Sequence, residues 1–153
     1  MTTSLACESP VGHVVRVLGG RAVLHRVVTR PDQVIALVRA GIPVRALERM
    51  AHVLGAPLQR IAALVGISGR TLARRRRVRE GRLDVAASDR LLRLAQVLAR
   101  AEDVLGTEEK AVHWLCAANR ALGGGVPLDL LDTDFGTRAV EVVLSRIEHG
   151  VYS

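Results

Sequence analysis

Apolar positions recur at helical spacing along most of the chain, and the segments they mark are separated by proline, glycine and capping residues. From Pro31, suited to a first helical position, Val34, Ile35, Leu37 and Val38 form a stripe ending before Gly41, which predicts a helix over 31–40. Pro43 opens a second helix, with Val44, Leu47, Met50, Ala51 and Leu54 on one face and Gly55 as its stop residue. Pro57 restarts the chain into a short third helix through Ile61, Ala62, Leu64 and Val65. Gly66-Ile67-Ser68 then reads as a tight turn whose serine caps a fourth helix, from about Gly69 to Arg79, ended by Gly81. Ser88 is placed to cap a longer helix carrying Leu91, Leu94, Ala95, Leu98, Ala101 and Leu105, with Gly106 as its stop. Thr107 caps "EEKAVHWLCAAN", in which Ala111, Val112, Leu115 and Cys116 share a face with Trp114 at its border. "NRALGGGV" is a loop by its glycines, and a last helix at about 134–149 buries Val140, Val143, Leu144 and Ile147 before Gly150. Before residue 29, "VGHVVRVLGGRAVLHRVV" mixes alternation with Gly19-Gly20, and a short helix and a hairpin both remain open.

Composition supports an all-α reading. The chain has 153 residues, 49% of them hydrophobic but only 2% aromatic, so its core must be built from Ala, Leu, Val and Ile. No apolar run approaches the roughly 18 residues of a membrane span, and "MTTSLACESP" lacks a charged-then-apolar signal layout, which points to the cytoplasm with no membrane partner. Cys7 and Cys116 are far apart and show no C-x-x-C spacing, so neither a disulfide framework nor a zinc site has support, and no cofactor is implied. His13, His25, His52, His113 and His149 show no paired spacing with an acid and are read as surface or boundary residues. No nucleophile sits in a strand-to-helix elbow, and "LGGG" lacks the following Lys-Ser/Thr of a phosphate loop, so an enzyme is not expected.

Charge divides the chain. Residues 1–87 hold fifteen arginines against five acids, a net +10, whereas 88–153 hold six arginines and Lys110 against ten acids, a net −3. One half suits a polyanion and the other does not. Seven arginines fall between Arg70 and Arg82, either as a solvated run or as the edge of a nucleic-acid-binding helix. Spacing favours the second. A helix-turn-helix needs a small residue where its helices pack close and a turn residue free to take positive φ, and Ala62 and Gly66 meet those needs. Ile61, Val65, Ile67 and Leu72 supply the apolar contacts, and Ser68 caps the second helix where backbone N–H groups also reach a phosphate. On this reading Arg70, Thr71, Arg74 and Arg75 face the major groove, while Arg76, Arg77, Arg79 and Arg82 contact the backbone. Arg75 departs from the pattern, because an apolar residue usually stands three past Leu72. A single unit of this kind reads few base pairs, so a homodimer is expected, with the Leu91 to Leu105 stripe as a candidate seam.

The segment 113–153 resembles the toxin-binding domain of Xre-family antitoxins, the MbcA/ParS type paired with RES-domain toxins. Trp114-Leu115, Asn119, Leu122-Gly123-Gly124, Pro127-Leu128-Asp129-Leu130-Leu131 and Gly150-Val151-Tyr152-Ser153 carry it, in that order. "SGRTLARRRR", "GRLDVAASDRLLRLAQVLARAEDVLG" and "AGIPVRALERMAHVLG" extend it backwards to about residue 15, and Gly125 is a small departure. The resemblance implies an uncertain N-terminal segment at 1–28, a helix-turn-helix DNA-binding domain at 29–87, and a connecting and dimerisation helix with the toxin-binding domain at 88–153. It also implies repression of the protein's own operon and capture of a RES toxin that consumes NAD+. The toxin contacts would come from Trp114, Asn119, Leu122, Gly123, Pro127 and Leu130, with the tail Gly150, Val151, Tyr152 and Ser153 at the toxin's NAD pocket. The competing reading is a free-standing repressor whose second half senses a small ligand, which requires a polar-lined pocket within 113–153.

Overall fold

A computed structural model describes residues 8–150. It contains nine α-helices and two 3-10 turns, and the only ladder-like pairing among the described residues is one antiparallel bridge between Pro43 and Arg82. The open N-terminal segment is helical: α1 (Pro10–Val17) and α2 (Gly20–Leu24) are separated by Gly19, whose φ of 107° only glycine adopts readily. Ser9 caps α1 by accepting from the Gly12 N–H at 3.1 Å. Valine has modest helix propensity, and packing of α1 on the long helix of the chain outweighs it.

The next helices follow the apolar pattern closely. They are α3 (Pro31–Ala40), α4 (Val44–Leu54), α5 (Leu58–Leu64) and α6 (Gly69–Arg77). α6 stops two residues earlier than expected, because Val78 is extended and the chain turns back at Gly81, where a Cβ would lie 2.1 Å from the Arg75 carbonyl oxygen. The chain then returns beside the start of α4, with Leu83 N–H donating to the Ile42 carbonyl at 2.8 Å and Val44 N–H to that of Gly81 at 2.9 Å.

α7 (Val85–Leu105) is the central element. Its cap is Asp84, which accepts from the Ala87 N–H at 2.8 Å, and not Ser88. Ser88 is fully buried one turn into the helix, where its hydroxyl oxygen accepts from the Ile42 N–H at 2.8 Å. Leu91, Leu94, Ala95, Leu98 and Ala101 are at most 3% exposed within this chain's own core. The stripe proposed as a dimer seam is therefore already occupied, by α1, α3, α8 (Glu108–Cys116) and α9 (Asp134–Glu148). His13 also departs from the surface reading. It is buried against α7, with Nε2 2.7 Å from Glu102 Oε2, the oxygen that also accepts from Arg16 at 3.0 Å.

Among the described residues no helix is long and apolar enough to cross a membrane.

Candidate functional sites

The α5–α6 corner has the local chemistry of a helix-turn-helix. The N–H groups of Gly66 and Ile67 donate to the carbonyls of Ala63 and Ala62 at 3.0 and 2.8 Å, closing α5 with Gly66 at a φ of 80°. This is the paired cap that satisfies orphan carbonyls and turns the chain sharply. Ile61, Ala62, Val65, Ile67 and Leu72 are all buried, so the five positions singled out for packing do pack. Ser68 caps α6, accepting from the Thr71 N–H at 3.2 Å, while its hydroxyl lies 3.0 Å from that of Thr71.

With only Leu72 of α6 buried, the remaining surface of the helix is cationic. Arg70, Arg74, Arg77 and Arg79 are exposed and have no carboxylate in ion-pair range among the described residues. Arg76 is exposed but pairs with Glu48 at 2.8 Å. Such a surface pair contributes about 1 kcal/mol or less, so a phosphate competes for the guanidinium at little cost. Arg75 corrects the groove-facing assignment. It is half-buried and donates to the Arg82 carbonyl oxygen at 2.6 Å. Its aliphatic stem fills the place of the usual apolar residue while a backbone acceptor satisfies the head. Arg82 is likewise half-buried and donates to the Gly41 carbonyl at 2.9 Å.

The second site is the loop after α8. Asn119 organises it: its side chain accepts from the Ala121 N–H at 2.9 Å, its own N–H donates to Gly125, and its carbonyl accepts from Gly124. Gly123 and Gly124 take φ values of 66° and 84°, which explains the glycines. A 3-10 turn, Arg120–Leu122, is followed by a second, Pro127–Asp132, which packs on α5, α8 and α9. Pro127 is buried, so it shapes the loop from beneath. Leu122, Leu130 and Trp114 are partly buried against the core, and Gly123 is exposed. Asn119 and Gly124 belong to the loop's frame. Thr133 caps α9, and a Cβ on Gly136 would stand 1.9 Å from the Leu130 carbonyl oxygen, so helix and turn meet without a side chain between them.

Phe135 is 85% exposed at the start of α9, beside this loop. Its being one of the chain's three aromatics was the available signal. Gly150 lies past the other end of α9, whose 15 residues span about 22 Å at about 1.5 Å each. Val151, Tyr152 and Ser153 lie outside the described residues.

The two sites touch. Arg60 of α5 donates to Asp129 of the second 3-10 turn at 2.6 Å. Beside them burial pushes the Cys116 thiol up from its ordinary range, a shift Arg60 opposes and Asp129 reinforces. A groove of about 790 Å³ lies among α1, α3 and α7, with Glu141 its one lining residue from the 113–150 region. That is not the polar pocket a ligand-sensing second half requires.

Residues 33–96 match the antitoxin Xre-like helix-turn-helix domain, and residues 100–150 match the antitoxin Xre/MbcA/ParS C-terminal toxin-binding domain. An antitoxin Xre of Yersinia enterocolitica is 30% identical over 126 residues, covering 82% of this chain and 84% of the relative. One from Photorhabdus laumondii is 30% identical over 119 residues, covering 77% and 80%. One from Pseudomonas putida is 41% identical over 72 residues, covering 47% and 45%.

Proposed function

The chain belongs to the Xre family of antitoxins, and on that footing we propose that it neutralises an NAD-degrading RES toxin by occluding the toxin's active site. It is the antitoxin of a toxin–antitoxin module, with a helix-turn-helix domain followed by a toxin-binding domain. In our reading the protein is a homodimer that also represses its own operon, and its role is binding rather than catalysis.

The observation that carries this reading is the separation of two chemically opposite surfaces. The cationic face of α6 suits a duplex, and Ser68, Arg70, Thr71, Arg74, Arg76, Arg77 and Arg79 are its contact set. Arg75 and Arg82 hold the frame instead. The loop organised by Asn119, with Leu122, Gly123 and Leu130, forms the toxin contact, supported by Trp114 and Pro127 from beneath and extended by Phe135. An exposed aromatic at the edge of a small-residue loop has the character of an interface anchor. The tail Gly150, Val151, Tyr152 and Ser153 fills the NAD pocket.

Co-expression with a RES-domain enzyme encoded beside this chain tests the proposal. A stable complex in which NAD+ loss is suppressed is the expected result. Absence of a complex, with NAD+ loss unchanged, would reject it and return the ligand-sensing repressor to first place. Operator binding by the dimer should weaken with salt at a log–log slope of about −5, as for six neutralised phosphates. Sedimentation checks the dimer.

A further inference from the structure

A cleft of about 390 Å³ lies between the start of α4 and the chain that leaves α6. Arg45, Arg75, Arg76, Arg79, Arg82 and His25 line it. Two carboxylates share the cleft, Glu48 and Glu80, and Glu48 already faces Arg76. The wall is fixed from within: Arg75 is held by the Arg82 carbonyl and Arg82 by that of Gly41. Arg45 and Arg79, by contrast, are exposed and have no carboxylate in ion-pair range among the described residues. With Arg75, Arg76 and Arg82 engaged, Arg45 and Arg79 are left as uncompensated cations beside one concavity, which favours the entry of an anion.

His25 and Glu80, with φ of 55° and 61°, are the two non-glycine residues with positive φ among the described residues, and both line this cleft. His25 takes its conformation as the cap of α2, and Glu80 in the turn closed by the Gly81 N–H on the Val78 carbonyl at 3.1 Å, so both walls of the cleft are set by local hydrogen bonds. Arg45 and His25 lie outside the α5–α6 unit, so the cleft extends the cationic surface across α4 and the end of α2.

We propose that this cleft is a second phosphate-binding site, which seats the sugar-phosphate backbone of the duplex beside the groove read by α6, with Arg45 as its principal contact outside the helix-turn-helix. The proposal rests on the DNA-binding reading above. Contacts of this kind set register and affinity and carry no sequence information.

The test is the salt dependence of duplex binding by the full chain, measured on operator and on random duplex. With Arg45→Ala, each bound copy should make the log–log slope shallower by about 0.9, one phosphate's worth. Operator and random duplex should weaken by the same factor. Arg45→Lys should restore the slope, since a point charge suffices for a phosphate. Two results would overturn the proposal while leaving the DNA-binding reading intact. One is an unchanged slope for Arg45→Ala alongside lost operator binding for Arg70→Ala. The other is an Arg45→Ala protein with normal duplex binding but weakened retention of the toxin, which would make the cleft a seat for a protein carboxylate. If the wild-type chain binds no duplex at any salt, the DNA-binding reading falls and this site falls with it.

Discussion

Phe135 and Gly136 are neighbours with opposite duties. Gly136 is buried where a Cβ would collide with the Leu130 carbonyl, and the same tight approach leaves Phe135 directed into solvent at 85% exposure. Removing an exposed ring away from caps and cores changes stability by about 0.5 kcal/mol or less. Phe135→Ala is therefore expected to unfold at the wild-type temperature yet bind toxin about tenfold or more weakly, the scale of an interface anchor. Toxin titration followed by NAD+ consumption checks it, and unaltered affinity would remove Phe135 from the contact. In the sequence this residue is distinguished only as one of three aromatics, because exposure at the first turn of a helix depends on what lies under the next residue. Arg75 gives the same lesson in reverse. The apolar pattern marked it as a misfit, and only the Arg82 carbonyl at 2.6 Å shows why the misfit is tolerated.

Helix boundaries were legible where capping chemistry is local and obscure where two caps competed. Ser68 and Thr107 cap as their spacing indicates, with hydroxyls accepting from Thr71 and Lys110 at 3.2 Å each. Asp84 and Ser88 both suit a cap, and the chain uses Asp84 because the Ser88 hydroxyl is needed by the buried Ile42 N–H 46 residues away. Ser88→Ala leaves that donor unsatisfied and is expected to cost about 1–3 kcal/mol, with denaturant unfolding as the measurement. The helical state of α1 was illegible for a related reason. Its valines gain their preference for a helix from α7, and the buried His13–Glu102 contact joins segments 89 residues apart. At the far end, the Arg100 guanidinium clasps Glu148 and holds its carboxyl below the ordinary 4.5. A lowered folded pKa means stability present above that value and lost as pH falls through the folded one. Acid unfolding of the wild type should accordingly show a small loss below about pH 4.5, absent in Arg100→Ala.

Across the whole molecule the charge division visible in sequence has a spatial counterpart. Arg70, Arg74, Arg77, Arg79 and Arg45 make one cationic surface on α6 and around the cleft beside α4, whereas the loop after α8 and the start of α9 present glycine, leucine and one exposed aromatic among Arg120, Asp129, Asp132 and Asp134. The all-α architecture and the helix-turn-helix were readable because proline, glycine and caps punctuate the helices, whereas the toxin-binding domain was readable only through the resemblance of 113–153 to Xre-family antitoxins. The distribution of α7 was not readable, since periodicity shows an apolar face but not whether its cover comes from the same chain. Arg60 and Asp129 bridge the two halves, yet the contact surfaces themselves do not overlap, so each should be removable alone. Arg70→Ala, Arg74→Ala and Arg77→Ala combined in one chain, assayed for operator shift and for co-purification of the RES-domain enzyme, tests this most directly. The account predicts that the operator shift disappears while the enzyme is retained in full. Equal loss of both from a protein that still unfolds cooperatively would contradict it.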